Sequence, residues 1–152
     1  MANTLIMTLK TGTVKIELRA DLAPNHVARI TELTKDGFYD GIVFHRVIPG
    51  FMAQTGDPTG TGTGGSKKPN LKAEFSREPH VRGTCSMARS SNPDSANSQF
   101  FICFDAAPWL DGQYTVWGKV IEGMEHIDAI KKGGDRDGAV MNPDKIISMT
   151  LP

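Results

Sequence analysis

Arg46 stands in the run FHRVIPGFMAQTGD, residues 44–57, among Phe44, Val47, Ile48, Phe51 and Met52, and no acidic residue lies nearer in sequence than Asp40 or Asp57. A guanidinium keeps its charge at any ordinary pH, so placing it among apolar side chains is costly unless something compensates it. Composition leaves two readings open. Either Arg46 lies on the surface with its stem packed and its head in water, or its guanidinium points into an apolar cleft, partnered by Gln54 and a ligand. In an extended Phe44–Ile48, the side chains of Phe44, Arg46 and Ile48 share one face. Whether Gln54 joins that face depends on the turn at Pro49-Gly50. A two-residue hairpin sets Arg46 opposite Ala53, whereas one bulged residue brings Gln54 across. Pro-Gly favours a type II turn, which fits tight hairpins poorly, so the pairing stays open.

The other chemistry-bearing patterns are weaker. Gly60, Gly62 and Gly65 match GxGxxG, but a dinucleotide site needs a strand before the glycines and a helix after them. Pro58 precedes and SKKPN follows, so a flexible surface loop is expected and no cofactor. No GK[ST] ends the run, which excludes a phosphate-binding P-loop. The histidines His26, His45, His80 and His126 form no HExxH and no close pair, which argues against a metal site. Ser86 and Ser98 lack a GxSxG elbow and read as strand and loop residues. Cys85 and Cys103 lie in the apolar segments TCSMA and FFICF. Buried free thiols are the preferred reading, with a disulfide or a reactive thiol as the alternative.

The elements that must carry these residues are mostly strands. Leu5–Leu9 and Val14–Leu18 form a predicted hairpin about Thr11-Gly12. A helix starts at Asp21–Pro24, runs on Val27, Ile30 and Leu33, and ends at Gly37. Strands are then predicted over Ile42–Ile48, Met52–Thr55, Thr84–Ala88, Gln99–Phe104, Thr115–Val120 and Lys145–Leu151. Met124, Ile127 and Ile130 mark a second helix stopped by Gly133-Gly134. About eight strands, two helices and no strand–helix alternation imply a mainly β fold with mostly antiparallel pairing, whose closure would remove the sheet edges.

With 152 residues, 39% hydrophobic and 22% charged, the chain reads as a single domain over 1–152. Basic and acidic residues number 17 each, a balance that gives no electrostatic case for nucleic acid or an anionic membrane. The N-terminus MANTLIMTLKTGTVKIEL does not read as a signal peptide, and no apolar run reaches the length of a spanning helix. A cytoplasmic protein is expected.

The run FHRVIPGFMAQTGD, together with GTCSMARS at 83–90, SQFFICF at 98–104 and WLDGQYTVWGKV at 109–120, resembles the cyclophilin family of peptidyl-prolyl cis–trans isomerases. GFYDGIVFHR upstream and EGMEHIDAI downstream fit as well, so the resemblance spans nearly the whole chain in order. It implies a closed eight-stranded antiparallel barrel capped by two helices, with a binding groove on the outside of the barrel. It implies Arg46 as the catalytic residue and Gln54 as its partner, with Phe51, Met52, Phe101 and Leu110 lining a pocket for the proline ring. Ala88, Arg89, Trp109 and Tyr114 would complete the groove. It further implies a cofactor-free, monomeric isomerase that assists protein folding, acting on proline-containing peptides and protein clients, and binding of a cyclosporin-type inhibitor favoured by Trp109. A non-catalytic module that binds proline peptides is the alternative.

Three positions depart from the best-known members of that family. Tyr114 stands where many have histidine, Trp117 where many have phenylalanine, and Arg89 where many have asparagine. The region Gly60–Phe75 is short, as in prokaryotic forms. These departures bear on which residues beside the proline are preferred.

Overall fold

Residues Thr4–Leu9 (β1) and Gly12–Leu18 (β2) form the first hairpin, and β1 alternates strictly between buried and half-buried side chains. That alternation is what a sheet with one face in a core requires. The computed structural model describes residues 3–134 and 137–152. Met1, Ala2, Asp135 and Arg136, parts of the expected 1–152 domain, lie outside it.

Helix α1 (Pro24–Lys35) follows, with proline in its first turn. Its N-cap residue Ala23 offers no side-chain acceptor. The Glu74 carboxylate takes that place, accepting the backbone N–H of Asn25 at 3.2 Å and of His26 at 2.8 Å. A carboxylate at a helix start satisfies free donors and complements the helix dipole. The remaining elements are β3 (Arg46–Ile48), β4 (Met52–Thr55), β5 (Thr84–Met87), β6 (Phe100–Cys103), a 3-10 turn at Pro108–Leu110, β7 (Val116–Glu122), α2 (Met124–Asp128) and β8 (Ser148–Thr150). Helix α2 ends at Asp128 with Ala129 as its cap, sooner than the glycine pair suggested, and Ile130 lies beyond it.

All eight strands belong to one antiparallel sheet in the order β3-β4-β6-β5-β7-β2-β1-β8. The fold is mainly β, an open half-barrel with two helices. Among the described residues no strand ladder joins β8 to β3. An isolated antiparallel bridge between Val43 and Lys145 lies there, with Phe44 N–H donating to Asp144 O and Ile146 N–H donating to Ile42 O, both at 2.8 Å. This shortens two expected strands. Ile42–Ile48 keeps strand geometry only from Arg46, partly because the Thr55 hydroxyl takes the Val43 carbonyl at 2.9 Å. Lys145–Leu151 keeps it only over Ser148–Thr150.

The same irregularity overturns the face assigned to Phe44. Its side chain is fully buried in the main core with Val47, whereas Arg46 and Ile48 lie on the outer side, Ile48 against a second apolar cluster. Regular pleating begins after Phe44, so the two-residue period cannot be run back through it.

The two clusters lie on opposite sides of β6. Phe100 faces the main core, its ring edge-on to Trp117 at 5.2 Å and to Tyr39 at 5.4 Å. Phe101 joins Met52, Cys103, Ala107 and Leu110 on the outer face of the half-barrel. A strand buried on both faces must be apolar throughout, which explains the unbroken FFIC. Both cysteines are free and buried. Burial pushes the Cys103 thiol up to about 12 and Cys85 well above its ordinary value, so neither is a ready nucleophile.

Candidate active site

The β3–β4 hairpin answers the question of Gln54. Its register pairs Arg46 with Gln54, Val47 with Ala53 and Ile48 with Met52, leaving the three-residue loop Pro49-Gly50-Phe51. Gly50 has φ +74°, a left-handed conformation that glycine adopts without strain. The extra loop residue puts Arg46 and Gln54 directly across from one another. Arg46 Nη1 donates to Gln54 Oε1 at 3.2 Å, and its Nε donates to the carbonyl of Asp137 at 2.9 Å. Gln54 Nε2 in turn donates to Gln99 Oε1 at 2.9 Å, and Gln99 Nε2 to the carbonyls of Gly62 and Gly64 at 3.0 and 2.8 Å. The guanidinium is thus fixed on two sides, while Nη2 has no partner among the described residues.

Arg46 opens onto a cavity of about 140 Å³ whose walls include every expected site residue except Trp109. Met52, Phe101 and Leu110 form its apolar interior. Phe51, Ala88 and Tyr114 pack against them, with the Tyr114 ring edge-on to Phe101 at 5.7 Å. Trp109 stands at the rim, 61% exposed, with its ring 5.6 Å from that of Phe51. Two of the unusual residues touch each other here. The Arg89 guanidinium lies 4.5 Å above the Tyr114 ring, a cation–π contact. It is held there by Gln113 O, which accepts from Nε at 3.1 Å and Nη2 at 2.7 Å, and by Ser90 O, which accepts from Nη1 at 2.9 Å.

A second, larger cavity of about 440 Å³ shares Gln54, Ala88 and Arg89 with the first and is otherwise polar. The glycine-rich loop forms one wall, and it is organised more closely than its composition suggested. The buried Asp57 carboxylate gathers it. Oδ1 accepts from Thr59 N–H at 2.8 Å, and Oδ2 accepts from the N–H groups of Thr61, Gly62 and Gly64 at 3.1, 2.6 and 3.1 Å. Burial alone would raise the Asp57 pKa, but these hydrogen bonds outweigh it and hold it at about 2.

Beneath the first cavity lies a residue that sequence reasoning did not place in the site. His80, fully buried, stacks on Phe101 with ring centroids 6.2 Å apart and planes at 19°. Its backbone N–H donates to Asp111 Oδ1 at 2.7 Å, and Nδ1 lies 3.1 Å from the same oxygen. On its other side Nε2 lies 2.9 Å from the Ser86 hydroxyl, which reaches Thr115 O at 2.9 Å. Asp, His and Ser in a row suggest a hydrolase, but Ser86 has no exposed surface to meet a substrate. The row acts as a brace, tying β5 and the turn bearing Trp109 and Leu110 to the underside of Phe101. Asp111 and His80 are 31 positions apart, and no local pattern links them.

This arrangement coincides with a family match that covers the chain. The pattern of the cyclophilin type peptidyl-prolyl cis-trans isomerase/CLD family matches residues 4–151. The chain belongs to that family. It is 60% identical to a "probable peptidyl-prolyl cis-trans isomerase" of Brucella suis, over 98% of this chain and 82% of that protein. It is 44% identical to a peptidyl-prolyl cis-trans isomerase of Helicobacter pylori, over 94% and 91% of the two chains. Among solved structures, a Cryptosporidium parvum cyclophilin type peptidyl-prolyl cis-trans isomerase, crystallised in the presence of the dipeptide Ala-Pro, superposes with a TM-score of 0.91. It has 30% identity and covers 98% of both chains.

Proposed function

We propose that this chain, as one domain over 1–152, accelerates rotation about X–Pro peptide bonds, with Arg46 supplying the catalytic donor. The observation that carries this reading is the guanidinium of Arg46, fixed by Gln54 and Asp137 O on the wall of an apolar cavity of about 140 Å³. A planar peptide bond is held by delocalisation of the nitrogen lone pair, with a rotation barrier of roughly 20 kcal/mol. For X–Pro bonds the two isomers differ by only about 0.5–1 kcal/mol yet exchange over tens to hundreds of seconds. Twisting the bond localises the lone pair and makes the prolyl nitrogen a hydrogen-bond acceptor. A donor already fixed there favours the twisted state over either planar isomer, which is selective stabilisation of the transition state.

The apolar residues Met52, Phe101 and Leu110 would grip the pyrrolidine ring while the preceding carbonyl turns. Phe51, Ala88, Arg89 and Tyr114 complete the walls, and Trp109 offers an exposed platform at the rim for a larger ligand of cyclosporin type. No nucleophile enters the scheme. The dipeptide named with the Cryptosporidium parvum relative supports proline peptides as the ligand class, and we extend this to exposed prolines of protein clients met by a monomer in the cytoplasm. We also read the Val43–Lys145 bridge as the seam that closes the barrel.

The test is a proline-limited refolding reaction. Catalytic amounts of the protein are expected to speed the slow phase and leave the final yield alone, because lowering one barrier moves both directions equally. Failure to speed that phase, with proline peptides still binding, would leave only a binding module.

A further inference from the structure

Among the described residues, the arginines that form ion pairs with carboxylates do so away from the groove. Arg19 pairs with Asp21 and Glu78, and Arg82 with Asp128. The two arginines of the groove do not. Among the described residues, Arg46 and Arg89 donate hydrogen bonds only to Gln54 and to the carbonyl groups of Asp137, Gln113 and Ser90. Among the described residues, neither cavity has a carboxylate in its wall. The nearest one placed by the loop, Asp57, faces inward, its oxygens taken up by hydrogen bonds from Thr59, Thr61, Gly62 and Gly64. In a chain of zero formal charge, the groove thus presents two arginines that make no ion pair with a carboxylate of the walls among the described residues.

Arg89 is the one placed to read a substrate beyond its proline. It lies in the wall shared by the apolar cavity and the larger polar one, so a peptide with its proline in the first passes Arg89 on the way to the second. Its contacts fix its position without neutralising it, since carbonyl oxygens and the Tyr114 ring carry no net charge. A fixed cation beside a roomy polar cavity suits an anionic side chain, carboxylate or phosphoryl, and repels a lysine or arginine.

Building on the isomerase reading above, we infer that Arg89 makes this protein selective for prolines flanked by an anionic side chain. The selectivity is set at the groove and not by overall charge, so it depends on where the anion lies relative to the proline.

The experiment uses a set of proline tetrapeptides carrying Gln, Glu, phosphoserine or Lys at each position adjoining the proline and one further out. Both kcat/KM and calorimetric affinity are measured with the intact protein. At one flanking position Glu is expected to exceed Gln by up to about fivefold, the upper range of an exposed ion pair, with Lys below Gln. The Glu preference is expected to shrink as ionic strength rises. Arg89→Gln is expected to bring the Glu:Gln ratio to about one, and Arg89→Lys to retain its sign. A gain with Glu identifies a carboxylate ligand, and a gain confined to phosphoserine a phosphoryl ligand. Equal values for Gln, Glu, phosphoserine and Lys at every position, or a ratio unmoved in Arg89→Gln, would overturn the inference. Affinity keeps this outcome apart from the catalytic reading. Charge-ordered binding without isomerisation would uphold the inference and sink the isomerase, and isomerisation blind to charge would do the reverse.

Discussion

The His80 imidazole lies parallel to the Phe101 ring, 6.2 Å away, with Asp111 at one ring nitrogen and Ser86 at the other. The floor of the apolar cavity therefore rests on a polar brace. Such a brace is worth most when every member is satisfied.

Truncating it is expected to be costly. His80→Ala removes the support under Phe101 and strips Ser86 and Asp111 of a partner, a combination of void and lost hydrogen bonds commonly worth about 2–4 kcal/mol. Urea denaturation of the variant checks this. A loss below about 0.5 kcal/mol would mean the brace does not bear on the fold.

Acid should act on stability in two stages. Burial is the largest influence on His26, His45 and His80 and pushes all three pKa values down, with nearby carboxylates opposing it. Below the unfolded value near 6.5, the unfolded chain then binds protons that the folded chain refuses, so folding weakens as pH falls from about 6.5. His45 bears on this most directly, because neither ring nitrogen has a partner among the described residues and it lies beside Arg46 in sequence. Asp57 contributes the second stage. Its folded pKa of about 2 lies below the usual carboxylate range, so its contribution is full above about pH 4 and lost as pH falls towards 2. Melting temperatures across pH 2–8 should show both declines. In Asp57→Asn the lower decline is expected to shrink without vanishing, since Asp21, Asp111, Asp128 and Asp144 are also held below the usual carboxylate range, and an unchanged decline would show that Asp57 does not contribute.

How much of this was legible beforehand depended on sequence distance. The hairpin carrying Arg46 and Gln54 lies within one short run, and the apolar residues of the cavity fall in motifs that identify themselves. Register was less accessible. Whether two or three residues close the turn decides if Ala53 or Gln54 faces Arg46, and Pro49-Gly50 permits either. Phe44 was misplaced because period-two reasoning assumes an unbroken strand, whereas the backbone there turns to bridge Asp144. His80 carries no motif, since no GxSxG elbow or HExxH surrounds it, and although Ser86 is six positions away its other partner, Asp111, is 31 positions along the chain. The glycine run looked featureless because its order comes from one carboxylate, Asp57, accepting several backbone N–H groups.

Substitution of Trp109 tests whether inhibitor binding and catalysis can be separated. It is the one expected site residue outside the walls of the apolar cavity, yet it presents a broad exposed ring and an indole N–H beside Phe51. Cyclosporin is expected to compete with proline peptides, and Trp109→Phe to weaken the drug more than it lowers kcat/KM. Inhibition titrations on both proteins decide this. Unchanged drug affinity, or an equal loss in both quantities, would contradict that division.

Arg46 carries the central claim, and its removal tests it most directly. Arg46→Ala leaves the apolar cavity in place but takes away the donor proposed to favour the twisted bond, and one such donor is commonly worth about 2.7–4 kcal/mol in the transition state. Arg46→Lys should also be poor, since an ammonium cannot span Gln54 and substrate with a planar fork. The decisive measurement is kcat/KM for a proline peptide with wild type and a folded Arg46→Ala protein side by side. A loss of at least tenfold is predicted, and a folded variant with full activity would contradict the account.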